Sequence, residues 1–357
     1  MKKISIIGTV GLPAKYGGFE TLTEYLCKHL GHTYDITVFC SKKNYNYHPS
    51  TYNNIKLRFL NLNANGIQSI LYDILSIVHS LKFADTLLIL GVSGCIVLPF
   101  VKLTSSKKII VNIDGLEWKR DKWNKLAKWF LKFSEKMAVR YADIIVSDNK
   151  VIQNYVKKVY GKDSQLIAYG ADHVSTFPLT TEILKVYPFL SSPYAFKVCR
   201  IEPENNIHLI LAAFAEYTDI NLVIIGNWSR STYGQDLRTT YGNYPHIHLL
   251  DPIYDQNILN QIRSNCTIYL HGHSAGGTNP SLVEAMYLGL PILAFDVSYN
   301  KYTTHNKARY FKTPEALIEI LQNLTQDQLK RMANDMKEIA LSIYTWDKIS
   351  TEYSKLF

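Results

Sequence analysis

Residues Tyr269 to Gly289 read YLHGHSAGGTNPSLVEAMYLG. The run Thr267, Ile268, Tyr269, Leu270 predicts the end of a strand, Gly272, Gly276 and Gly277 a turn, and Pro280 the start of a helix. Asn279 is a favoured N-cap, and proline at the first helical position gives up an N–H that has no intrahelical partner. On this reading the N–H groups of Ser281 and Leu282 point outward, a seat for a phosphate or a polar sugar group. Glu284 follows Ser281 by three positions, so its carboxylate is expected near the same mouth, where it could accept bonds from ribose or sugar hydroxyls. An ordinary strand-to-helix turn, with Glu284 a solvated surface residue, is the other reading.

The 357 residues suffice for two domains with proper cores, and 47% hydrophobic with 19% charged residues is a soluble globular composition. Five scattered cysteines with no C-x-x-C pair point to a reducing compartment without structural zinc or disulfides. The N-terminus lacks the apolar core and cleavage site of a signal peptide. The apolar run from Leu87 to Val101 is about fifteen residues, broken by Gly91, Gly94 and Pro99, where a bilayer span needs roughly twenty. A cytoplasmic protein is expected. Its net charge of +9 favours an anionic partner.

Working outward, Lys3 to Ile7 reads as a buried strand, followed by a loop with glycines at 8, 11, 17 and 18 and a helix from about Gly18 to Leu30. The loop matches neither G-x-G-x-x-G nor G-x-x-x-x-G-K-[ST], so neither NAD nor ATP is indicated. Gly17 and Gly18 still permit an anion to approach a helix start, and a plain chain reversal is as good a reading. Strands at Ile36–Cys40, Ile55–Leu60, Thr86–Leu90 and Lys108–Asn112 alternate with helices, which argues for a parallel sheet covered on both faces. Ligands of such sheets bind beyond the carboxyl ends of the strands.

Asp114 and Lys119 follow the strand at Lys108–Asn112 and form a candidate acceptor-activating or phosphate-holding pair, although Asp114-Gly115 is also a common turn. From Trp118 to Lys136 a helix is expected in which lysines and Arg120 alternate with Trp118, Trp123, Trp129, Phe130 and Phe133. That pattern suits a helix on an anionic membrane surface and equally an amphipathic helix with its aromatics in the core. Asp148 ends another strand and reads as an N-cap, with an orienting role open to it.

The first domain is expected to span residues 1–170. A proline-bearing linker follows at 171–192, then a second α/β domain at 193–340, and a C-terminal helical segment, 341–357, packing back on the first domain. In the second domain Arg200 follows a strand, an always-charged fork matched to a diphosphate, or else an ion-pair partner of Glu202 or Glu204. His271 and His273 lack clustered acidic or thiol partners, so no metal is expected.

GLPAKYGGFET, NIDGLEWKRDKW, RIEPENNI and HGHSAGGTNPSLVEAM together resemble glycosyltransferase family 4, and within it the bacterial rhamnosyltransferases that extend lipid-linked sugars in polysaccharide assembly. The resemblance implies a GT-B fold, two doubly wound Rossmann-like domains with an inter-domain cleft. It implies a retaining hexosyltransferase carrying L-rhamnose from dTDP-β-L-rhamnose to an undecaprenyl-diphosphate-linked glucose or N-acetylglucosamine, with a β-1,4 linkage, peripheral on the inner face of the membrane. Glu284 would contact the ribose, Arg200 the donor diphosphate, and Gly17 and Gly18 would lie near the phosphates. Asp114 and Lys119 would face the reacting centre. The family's second glutamate is here Gly276, and its lysine after the arginine is Asn205. Sugar contacts are therefore assigned to Gly276, Gly277, Thr278 and Asn279, or to Glu202 and Glu204, with His273 a possible orienting residue. No cofactor and no nucleic-acid partner are expected.

Overall fold

Short apolar runs bounded by glycine and polar residues form strands here because helices cover both sheet faces, so successive residues are buried whichever way they point. The computed structural model describes residues 1–15, 17–113, 115–119 and 123–357. It divides into two units, Met1–Tyr169 with Trp346–Phe357, and Gly170–Thr345.

The first unit runs β1 (Lys3–Ile7), α1 (Gly18–Leu30), β2 (Asp35–Ser41), β3 (Thr51–Tyr52), β4 (Ile55–Leu60), α2 (Gln68–Ser80), β5 (Thr86–Leu90), α3 (Leu98–Thr104), β6 (Lys108–Asn112), α4 (Lys125–Tyr141), β7 (Ile144–Ser147), α5 (Lys150–Tyr160) and β8 (Gln165–Leu166). Its sheet has the order β3-β4-β2-β1-β5-β6-β7-β8, parallel except for the β3–β4 hairpin. β1 pairs with β2 on one side and β5 on the other, so the winding reverses there. Ile4, Ile6, Leu88 and Ile110 are fully buried in its core.

The second unit runs α6 (Thr181–Val186), β9 (Tyr194–Val198), α7 (Ile207–Glu216), β10 (Asn221–Ile225), α8 (Thr232–Tyr241), β11 (Ile247–Leu250), α9 (Gln256–Ser264), β12 (Ile268–His271), α10 (Pro280–Tyr287), β13 (Ile292–Phe295), α11 (Ser298–Thr303), β14 (Arg309–Phe311), α12 (Pro314–Asn323) and α13 (Gln326–Ile343). Its six strands are all parallel, in the order β11-β10-β9-β12-β13-β14. That is the 3-2-1-4-5-6 winding of a dinucleotide-type sheet, with its switch point between β9 and β12. The core is built from Ala195, Leu211, Phe214, Ile224, Leu270 and Leu293. The chain then returns to the first unit as α14 (Trp346–Leu356), where Trp346 stacks on Tyr25 of α1 at 4.6 Å and Tyr353 accepts a 2.9 Å bond from Asn112 Nδ2.

Three elements differ from the sequence reading. The helix expected from Trp118 begins at Lys125, where Asn124 caps it by accepting from the Ala127 N–H at 2.9 Å. Glu117–Lys119 is a separate single turn, entered through Leu116 at φ +51. Pro203 predicts a helix from Glu204 or Asn205, but α7 starts at Ile207 because Asn206, left-handed at φ +47, separates it from the turn Pro203–Asn205. The stretch expected as a linker belongs to the second unit and contains α6, capped by Thr180.

Candidate functional site

In the second unit the loops after β9 and β12 stand side by side at the switch point, and side-chain amides lace them together. Asn205 Nδ2 donates to the Arg200 carbonyl at 2.8 Å, and Asn206 Nδ2 donates to that of Gly272 at 2.8 Å. His273 Nδ1 lies 3.1 Å from Asn205 Oδ1, and the Glu204 carbonyl accepts from the Ser274 N–H at 2.9 Å. The two backbones come so close that a Cβ on Gly272 would sit 2.1 Å from the Asn205 carbonyl oxygen, and only glycine fits. Asn205, expected at the donor, and His273, a possible orienting residue, are buried and brace the two loops.

What this frame presents is Arg200. Its side chain keeps about a third of its surface open, and Glu202, its charged neighbour among the described residues, stands 3.8 Å away, beyond hydrogen-bond range. A planar fork of donors therefore remains available at the carboxyl end of a central strand.

Glu284, one and a half turns into α10, is not the solvated residue of the blander reading. Its Oε2 is paired with the Arg263 guanidinium of α9 and its Oε1 lies 3.2 Å from His173 Nε2. Arg263 also donates to Asn260 Oδ1 at 2.7 Å. Burial pushes the Glu284 carboxyl up, but Arg263 and His173 outweigh it and hold the pKa down at about 2. A fixed carboxylate with lone pairs to spare can still accept hydroxyl donors. The helix start itself is a correction: Asn279 Oδ1 accepts from the Ser281 N–H at 3.0 Å and from its hydroxyl at 2.8 Å, and the Leu282 N–H bonds the Asn279 carbonyl at 3.0 Å. Those N–H groups are satisfied within the protein. Gly276 is left-handed at φ +115, and Thr278 is buried.

In the first unit the loop after β1 is held by two acids one turn apart on α1. Glu20 Oε1 accepts from the Val10 N–H at 2.8 Å, and Glu24 Oε2 accepts from the Ala14 N–H at 2.5 Å. Gly17, at φ +139, caps α1, and the Glu20 carboxylate lies directly against it, so a negative group already faces the start at Gly17 and Gly18. Lys119 projects over the Trp118 ring at 5.5 Å, while Asp114 lies outside the described residues. Asp148 is buried, and the cap of α5 is Asn149, which accepts from the Val151 N–H at 3.0 Å.

Sequence reasoning passed over Arg263 and His173, which reach Glu284 from 21 and 111 positions away. It also passed over Lys197 in β9, and it set His271 in β12 aside as a metal ligand without reading its burial. Both are buried; burial lowers the Lys197 pKa and, with Lys197 and His273 nearby, holds His271 well below its ordinary value. His271 is thus a neutral imidazole at the sheet edge.

Comparison with known proteins places these features. Residues 181–342 match the Glycosyl transferases group 1 model, and residues 1–172 match the model described as Domain of unknown function (DUF1972). The whole chain aligns at 23% identity with 99% of an uncharacterized glycosyltransferase, MJ1069, of Methanocaldococcus jannaschii. Among solved structures, sucrose-phosphate synthase from Thermosynechococcus elongatus superposes with a TM-score of 0.82 at 15% identity, over 100% of this chain and 98% of that one. Anabaena Alr3699/HepE in complex with UDP gives 0.77 at 13% identity over 99% of both chains, and its UDP-glucose complex gives 0.75. The fold is GT-B-like, two Rossmann-like sheets of parallel strands, and it is the second unit that matches the glycosyl transferases group 1 model.

Proposed function

We propose that this protein is a glycosyltransferase that takes a sugar from a nucleoside-diphosphate donor bound by its second unit. The observation that carries this reading is Arg200, presented at the switch point by a braced pair of loops with its guanidinium free of a hydrogen-bonded acid. Glycosyl transfer builds negative charge on the departing diphosphate, and a preorganised guanidinium stabilises that charge more than it stabilises the resting substrate. Glu284, kept ionised by Arg263 and His173, accepts the donor's ribose hydroxyls on this reading. The acceptor falls to the first unit.

The four motifs favour dTDP-β-L-rhamnose as donor and a lipid-diphosphate-linked glucose or N-acetylglucosamine as acceptor. Retention of configuration, with the departing phosphate taking the acceptor proton, follows from the same family likeness. The UDP and UDP-glucose complexes of the Anabaena neighbour support a uridine donor instead.

A screen of nucleoside-diphosphate release decides among them, using dTDP-rhamnose, UDP-sugars and GDP-sugars, each with and without the lipid-linked acceptor. Acceptor-dependent release from one donor, lost in Arg200→Ala at unchanged melting temperature, is the expected result. Release from none of them, or an unaffected Arg200→Ala, would overturn the assignment.

A further inference from the structure

The basic and aromatic stretch that the sequence left with two readings is resolved by the direction its side chains take. Strands β5, β6, β7 and β8 are consecutive parallel neighbours. Right-handed crossovers between them put α3, α4 and α5 on one face of the first unit's sheet. The sheet side of α4 is Leu131, Ser134, Glu135, Ala138 and Val139, all buried. Trp118, half-buried, turns toward that side as well, its Nε1 donating to Glu135 Oε2 at 3.0 Å.

Trp129 and Phe133 do the opposite. Trp129 is 65% exposed, Leu126 74%, and Phe133 also lies open, so the stripe 126, 129, 133 runs along the outer side of α4. The two rings stack on one another at 5.9 Å and 8°. On α3, which packs beside α4, Phe100 and Leu103 are exposed in turn while Leu98 and Val101 are fully buried. Five large apolar side chains facing water on two adjacent helices exceed the scattered exposure of ordinary surfaces.

Charge separates this face from a protein-docking patch. Across α3, α4 and α5 the one acid is Glu135, which is buried, whereas basic residues recur throughout. Helical spacing places Lys125, Lys136 and Arg140 on the same outer side as Trp129 and Phe133. Lys125 and Lys136 have no acidic partner among the described residues. Outward tryptophan and phenylalanine framed by unpaired lysines is what an anionic bilayer surface recognises, the rings entering the headgroup boundary and the ammonium groups meeting lipid phosphates. Among the described residues no helix is long and apolar enough to cross a membrane, so the attachment is peripheral.

We infer that the α3–α4 face of the first unit, led by Trp129, Phe133, Leu126 and Leu103 with Lys125 and Lys136, docks on a membrane leaflet rich in anionic lipid. The inference is independent of the transferase reading, because it concerns a different surface and needs neither donor nor acceptor.

Sedimentation of the full chain with phosphatidylcholine vesicles, with and without phosphatidylglycerol, tests it. Binding is expected to require the anionic lipid and to weaken as salt is raised. Lys125→Gln and Lys136→Gln should each lower the partition coefficient about fivefold. Trp129→Ala should lower it about tenfold or more, with thermal melts showing that these surface variants remain folded. Arg200→Ala should bind vesicles as the parent does, which separates failure here from failure of the donor-site assignment. Absence of binding, equal binding to neutral vesicles, unaffected Lys125 and Trp129 variants, or displacement from vesicles by duplex DNA at equal phosphate would each overturn the inference.

Discussion

The two switch points solve one problem with different chemistry. In both, a glycine just past one strand lies against backbone belonging to the neighbouring strand or its loop: Gly8 against Leu90 after β1, Gly272 against Asn205 after β12. Beyond that contact they diverge. The first unit ties its loop with Glu20 and Glu24 accepting backbone N–H groups, which commits both acids to the loop's own backbone. The second ties its loops with neutral amides, Asn205 and Asn206, so that among the described residues Arg200 keeps no hydrogen-bonded acid, while Glu284 is held by Arg263 and His173. A parallel sheet supplies the place for a site, and the choice of brace decides whether that place is charged.

The largest effect should come from breaking the buried pair. Arg263→Ala leaves the Glu284 carboxylate buried with only His173 beside it, and loss of one partner of a buried ion pair costs about 3–5 kcal/mol. Glu20→Gln in the first unit keeps an acceptor for Val10 and should cost below about 1 kcal/mol. Urea unfolding of both variants measures the contrast; equal losses would mean that the Glu284 cluster is no more buried in effect than the first unit's loop acids.

Next come the two glycines. Each added methyl would meet a backbone carbonyl oxygen, at 2.0 Å for Gly8 and 2.1 Å for Gly272. Gly8 in addition stands at φ +91, a conformation that adds roughly 1–3 kcal/mol of strain for a residue with a Cβ. Gly8→Ala should therefore be the more damaging, read as a lower urea midpoint than that of Gly272→Ala.

The pH dependence sharpens the same contrast. Glu284 is held at about 2 in the folded unit against an ordinary value of 4.5, so its ionised form favours the fold above about pH 5 and that contribution is lost as pH falls toward 2. Between these limits the parent should lose about 1 kcal/mol per pH unit relative to Glu284→Gln. Parallel pH profiles of unfolding free energy for the two proteins would show that the pair does not hold Glu284 ionised.

Much of the fold was legible. β1, β5 and β6 match the sequence reading residue for residue, because strands buried on both faces are nearly continuous apolar runs that glycine and polar residues terminate; β4 matches as well, with Ile55 and Leu57 buried and Lys56 and Arg58 exposed in alternation. β3, α11 and β14 were passed over, two to six residues each, too short to show a period, and so was the ten-residue α8, whose buried face is reduced to Gly234 and Leu237. In the candidate site, Arg200 and Glu284 were legible because each follows a strand or opens a helix in a recognisable turn. Their partners were not: Arg263 sits on the buried side of α9 and His173 in an irregular stretch, and no local pattern ties either to Glu284. Asn205 could be read as a donor contact because nothing in sequence distinguishes an amide that faces a ligand from one that braces two loops. The outward turn of Trp129 and Phe133 needed the start of α4 at Lys125, since a helix begun at Trp118 would mix core and surface aromatics.

The smallest effect concerns the helix start from which the sequence reading began. Asn279 caps α10 as Asn149 caps α5, each accepting an N–H at 3.0 Å, so Asn279→Ala and Asn149→Ala should each cost about 1 kcal/mol in urea unfolding. Their consequences for the nucleotide should nevertheless be alike and slight. Because Asn279 already satisfies Ser281 and the chain itself satisfies Leu282, the proposed donor phosphates would depend on Arg200 rather than on α10. Donor affinity in Asn279→Ala, measured by calorimetry, should therefore shift by less than about threefold, the equivalent of roughly 0.6 kcal/mol. A loss of tenfold or more confined to Asn279→Ala, at about 1.4 kcal/mol, would return the phosphates to the helix start and make the two units' caps functionally unequal.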